Sequence, residues 1–215
     1  SLEEARELAS LCQQIGQSFG KTFYTVISSM EQPLGFAVGH SLEIEETILT
    51  LQGKGPKDLE ELCLTLGALA LQGAQKVETL EEGKAQLLDL LQNGKALASF
   101  KKMVVAQGGD SEVVSSYKEI LPQPSRIAML PSPVTGYVAD INPAIVARAI
   151  KECGGGRVCK EDMLNLGVGV LLHKKVGDAV EKGETVVELY ADDMHYRDVL
   201  AFLQTAFEYS DAPIT

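Results

Sequence analysis

Four prolines within thirteen residues, Pro122, Pro124, Pro131 and Pro133 in LPQPSRIAMLPSP, constrain this chain more than any other feature. Proline lacks the amide that a helix interior needs, so the helical pattern must stop here. Before this stretch, apolar residues recur mostly at helical spacing; after it, the pattern changes to short strands and turns. The prolines are therefore read as a boundary between a part at 1–120 and a part at 125–215.

In the first part, Leu2, Ala5, Leu8, Leu11, Cys12 and Ile15 predict an amphipathic helix over 2–18, with Ser1 and Glu4 spaced as a capping box. KTFYTVISSM at 21–30 is β-branched and aromatic and is expected to form a buried strand. Helix, loop and strand together suggest half of an α/β sheet with parallel connections. Further helices are expected at 41–51, 57–74, 78–92 and 93–106, with a weaker one at 111–119.

In the second part, PVTGYVADINP reads as strand and turn, and 143–152 as a helix with proline in its first turn. VGVLLHKKVGDAVEKGETVVELYADD reads as hairpins turning at Gly177-Asp178 and Lys182-Gly183. These resemble the hairpins of biotinyl and lipoyl modules. A carrier function is not expected, because Lys174-Lys175 lacks the flanks of a swinging-arm lysine. A last helix is predicted over 195–208, with His195 opening it.

Composition excludes several classes. The net charge is −11 and no Lys/Arg cluster offers a track for a phosphate backbone, so no nucleic-acid partner is expected. No apolar run reaches the length of a membrane span, and a cytoplasmic protein with no membrane partner is expected. Cys12, Cys63, Cys153 and Cys159 fit neither a CxxC redox site nor a zinc knuckle and are read as free thiols. His40, His173 and His195 are not spaced as metal ligands, and no Ser-His-Asp set is visible.

The stretch MEQPLGFAVGHSLEIEETI at 30–48 is where chemistry is most legible. A glycine-rich turn runs into an acidic helix, so backbone carbonyls of Leu34 and Ala37 and a carboxylate from Glu46 could form an oxygen shell suited to a hard cation. The plainer reading is a strand-to-helix turn with a solvated acidic face.

The runs QPLGFAVGHSLEIEETI and GKGPKDLEELCLTLGALAL, followed in order by FKKMVVAQGGD, GYVADI, GGGR and LGVGVLLHKKVGDAVEKGE, span nearly all of the chain. They closely resemble the pyrimidine nucleoside phosphorylase/thymidine phosphorylase family, carboxy-terminal half. The resemblance implies the second half of a mixed-sheet α/β domain at 1–120, followed by an α/β-hammerhead-like (barrel-sandwich) module at 125–215. It also implies a homodimeric pentosyltransferase acting on a pyrimidine nucleoside, with inorganic phosphate as cosubstrate and an alkali metal ion, usually potassium. Leu34, Ala37 and Glu46 take the positions of metal ligands. The family's phosphate- and base-binding residues are expected upstream, in an amino-terminal half of the same enzyme. The chain opens within a helix and without an initiator Met, which is read as a fragment or a processed or trimmed form. No catalytic residue is therefore assigned to this chain, and alone it is expected to be inactive.

Weaker candidates are Leu11 and Cys12, near the base pocket or simply in the core, and Arg157 of the GGGR loop, which either stabilises a closed cleft or makes a surface pair. Two rival readings stand beside this one: a phosphoribosyltransferase of the anthranilate type, for which no aspartate-rich motif is visible, and a non-catalytic scaffold keeping the phosphorylase shape.

Overall fold

The computed structural model of the chain describes residues 1–192 and 196–214. The first part is helical. Helix α1 (Leu2–Ser18) begins with the expected capping box, in which Ser1 Oγ accepts from Glu4 N and the Glu4 carboxylate reaches back to the Ser1 amine. Helices α2 (His40–Leu51), α3 (Lys57–Gly73), α4 (Leu80–Gln92) and α5 (Lys95–Ala106) follow close to their predicted spans. The weak helix at 111–119 resolves into a 3₁₀ turn at Ser111–Val114 and a single α-turn, α6 (Tyr117–Ile120).

Residues 21–30 depart from expectation. They carry the strand-forming side chains but are exposed throughout and form no strand. A strand needs a neighbour for its ladder, and none of the described residues pairs with this segment. It lies instead along helices, with the Phe23 ring filling the space beside Gly16 and the Tyr24 ring lying near Gly73.

The second part holds strands β2 (Arg126–Pro131), β3 (Gly136–Ile141), β4 (Gly169–Leu172), β5 (Ala179–Val180), β6 (Thr185–Ala191) and β7 (Phe207–Ser210), with helices α7 (Pro143–Ile150) and α8 (Tyr196–Gln204). Strand β1 (Ala37–Val38), from the first part, joins them. One sheet runs β1-β4-β6-β2 and the other β5-β3-β7. All pairings among the described residues are antiparallel, which corrects the expected parallel connections.

The alternation along each strand explains the packing. Val187, Leu189 and Ala191 of β6 face inward with Val170 and Leu172 of β4 and Ala128 and Leu130 of β2, all buried. Helix α7 closes over them with Val146, Ala149 and Ile150, and α8 with Val199 and Leu203. The predicted last helix is shorter than expected. It ends at Gln204, and Phe207–Ser210, rich in aromatic residues, pairs with β3 instead. His195 lies outside the described residues.

Candidate functional site: the oxygen-rich corner at residues 32–46

The corner exists because β1 and the start of α2 press against β4. Ala37 pairs with Leu171 and Val38 with Val170, and the Leu172 amide donates to the Phe36 carbonyl at 2.8 Å. Chain direction then reverses at Gly39, whose φ of +130° and lack of a side chain are both required: a Cβ there would lie 2.7 Å from the Gly169 Cα.

The bond from Leu172 uses the Phe36 carbonyl; the amides of Phe36 and Ala37 are directed to Glu46 instead. Glu46 Oε1 accepts from the amides of Phe36 at 2.8 Å and Ala37 at 3.1 Å. Gly35 makes room for this carboxylate, since a Cβ there would lie 2.2 Å from Glu46 Oε2. Glu46 is buried on α2, and its neighbour Glu43 accepts from the Gly39 amide at 2.9 Å.

The charges around the turn oppose one another. Burial pushes the Glu46 carboxyl up, and the Asp58 charge adds to this; the Phe36 and Ala37 amides and the Lys175 ammonium oppose the rise without cancelling it. Burial acts on Asp58 in the same direction, but there the Lys175 ammonium, with the Leu59 and Gly35 amides, prevails and holds the carboxyl below the usual aspartate range. A positive ion beside Glu46 would relieve the burial that disfavours its charged form.

Leu34, Ala37 and Glu46 line one pocket of about 390 Å³, together with Glu43 and Leu59. The three residues singled out by sequence are thus brought together. Among the described residues no group of three or more His, Cys, Asp and Glu side chains is arranged to hold a metal ion, so a cation here would depend on main-chain oxygens beside the Glu46 carboxylate. That donor chemistry fits a hard cation.

The weaker candidates lie elsewhere. Leu11 is exposed and Cys12 half-buried on α1, which is tied to the following segment by Gln13 Nε2 donating to Thr25 Oγ1 at 3.0 Å. Arg157 is exposed in the glycine loop and makes no ion pair among the described residues. None of the three lines the corner pocket. The loop itself approaches the corner through His40, whose Nε2 lies 2.9 Å from the Gly155 carbonyl oxygen. No helix among the described residues is long and apolar enough to cross a membrane.

Sequence reasoning missed Lys175. Its ammonium reaches the carbonyls of Pro33 and Gly35, the latter at 2.6 Å, and the Asp58 carboxylate at 3.1 Å. The Val176 amide adds a bond to Gln32 Oε1 at 2.9 Å. Nothing in the local Lys-Lys-Val-Gly-Asp run signals a partner so distant in sequence; only the β1–β4 pairing would have revealed it.

Residues 137–210 match the family model described as the pyrimidine nucleoside phosphorylase C-terminal domain. The chain is 45% identical over 199 residues to the pyrimidine-nucleoside phosphorylase of Bacillus subtilis, covering 93% of this chain and 46% of that protein. It is 41% identical over 213 residues to that of Geobacillus stearothermophilus, covering 99% and 49% respectively. For a Staphylococcus aureus relative of the same name the identity is 40% over 211 residues, covering 98% and 48%. The chain spans about half the length of these curated relatives. The chain matches the carboxy-terminal half of the pyrimidine nucleoside phosphorylase family.

Proposed function

We propose that this chain is part of a thymidine/pyrimidine nucleoside phosphorylase, a pentosyltransferase in which phosphate attacks C1′ of the sugar. The N-glycosidic bond breaks, giving free pyrimidine base and (deoxy)ribose 1-phosphate. The observation that carries this reading is identity of 40–45% across almost the whole chain with proteins of that name.

The chemistry assigns the parts. A transition state with oxocarbenium character gathers negative charge on the leaving base, which needs donors around it, and dianionic phosphate needs cations and amides. The phosphate- and base-binding residues belong, in this reading, to an upstream half, consistent with relatives about twice as long. Residues 1–215 alone would then be inactive. Their contribution is the scaffold and part of a cation site: Leu34, Ala37 and Glu46 would hold a potassium ion, whose charge supports phosphate binding. Glu46 is already oriented by the Phe36 and Ala37 amides. The split into an α/β part at 1–120 and a hammerhead-like module at 125–215, homodimer formation and a cytoplasmic location belong to the same reading.

The test is to capture the protein from its native source with an antibody to residues 126–191 and assay thymidine and uridine with phosphate. Phosphate-dependent release of base from the captured material is expected. Capture of protein that releases no base from either nucleoside would favour the non-catalytic scaffold.

A further inference from the structure

We propose that Lys175 is a tethered cation that keeps divalent ions out of the corner and so sets its preference for a single positive charge. The proposal rests on the cation reading only for what the corner binds; the exclusion of divalent ions stands on Lys175 itself.

Lys175 arrives from the turn between β4 and β5 with its side chain only 14% exposed. Its ammonium contacts two backbone carbonyls, Pro33 and Gly35, and the Asp58 carboxylate, and lies 5.6 Å from the centre of the Phe36 ring. Two carbonyls and a carboxylate are the oxygen donors a hard metal ion takes. Here they are taken by a group of charge +1 that the chain carries with it.

The same turn is bracketed by two carboxylates. Asp58 Oδ2 accepts the Gly35 amide at 3.1 Å, while Glu46 Oε1 accepts the next two amides, those of Phe36 and Ala37. Three successive amides thus hold Asp58 and Glu46 on one short segment. With Lys175 in place, Asp58 is neutralised, and the acidic side chains left to an ion in the pocket lined by Leu34 and Ala37 are Glu46 and Glu43. Without the ammonium, Asp58 and the Pro33 and Gly35 carbonyls lose their cation. Two carboxylates and several carbonyls would then face the turn together, a set whose charge and oxygen count suit calcium-like ions.

The measurement is thermal unfolding and calorimetric titration with KCl, CaCl₂ and choline chloride at matched ionic strength. The proteins are the parent, Lys175→Met, and Lys175→Met combined with Asp58→Asn. In Lys175→Met, calcium is expected to raise Tm by on the order of 5 °C at a hundredfold excess over Kd. The parent should respond to calcium no more than to choline, and the double variant should lose at least about tenfold in calcium affinity. Lys175→Met without a calcium response, or a response that survives Asp58→Asn, overturns the proposal. So does a parent that binds calcium as tightly as Lys175→Met. If Lys175→Met lacks a cooperative transition, Lys175→Gln carries the same test, since its amide still donates to the carbonyls. Potassium tests the other reading separately. A parent indifferent to potassium removes Leu34, Ala37 and Glu46 as its ligands, while an Asp58-dependent gain of calcium binding in Lys175→Met still upholds the role of Lys175.

Discussion

Gly39 and Gly169 cross so closely that a Cβ on either would collide with the backbone of the other segment: 2.7 Å from the Gly169 Cα in one case, 2.7 Å from the Val38 carbonyl oxygen in the other. This contact seats the turn into α2 on the strand that leads to Lys175, and so joins the helical part to the sheet. Gly39→Ala adds a left-handed strain to the clash, because its φ is +130°. A loss of about 2 kcal/mol or more is expected in denaturant unfolding.

Leu189 is fully buried at the centre of β6, between β4 and β2. Leu189→Ala removes its contacts and leaves a cavity, so a loss of about 3 kcal/mol is expected from the shift in unfolding midpoint. Exposed Met129, on the outer face of the neighbouring strand β2, should tolerate Ala with a change within about 0.5 kcal/mol.

Helix α7 starts at Asn142, whose Oδ1 accepts from the amides of Ala144 at 3.0 Å and Ile145 at 3.2 Å. Asn142→Ala leaves both unpaired and is expected to cost about 1 kcal/mol, measured by thermal unfolding; Asn142→Asp, which keeps the acceptor, should cost little.

The glycine loop has its own acid sensitivity. Asp162 Oδ2 accepts the amides of Cys159 and Val158, each at 2.8 Å, and these bonds hold its carboxyl below the usual aspartate range. A carboxyl whose folded-state pKa is depressed contributes order that is present above its ordinary value and is lost as pH falls through the folded value. Hydrogen exchange at Val158 and Cys159 should therefore accelerate, beyond the intrinsic pH effect, only in the acid range. Asp162→Ala should show the fast exchange at neutral pH.

Much of this architecture is legible locally. Ser1 and Glu4 announce α1, Asn142-Pro143 announces α7, and Gly177 and Gly183, both with positive φ, mark the turns after β4 and before β6. Strand β2 hides within the proline-rich boundary, because it lies at a sheet edge and its Pro131 sits at the register shift, where no ladder amide is required. Segment 21–30 misleads in the opposite way, since β-forming side chains do not make a strand without a paired neighbour. At the corner, Leu34, Ala37 and Glu46 are close in sequence and were readable as a set. Lys175 reaches them only through tertiary pairing, which no local pattern carries.

The most direct test of the cation corner replaces Glu46 by Gln in the full-length phosphorylase proposed above and measures phosphorolysis of thymidine against potassium concentration. The substitution keeps the shape and removes the charge that faces the pocket. The potassium concentration for half-maximal activity is expected to rise at least about tenfold, the loss of one charge-assisted contact. An unchanged potassium dependence would contradict the role of Glu46 and, with it, the cation site at this corner.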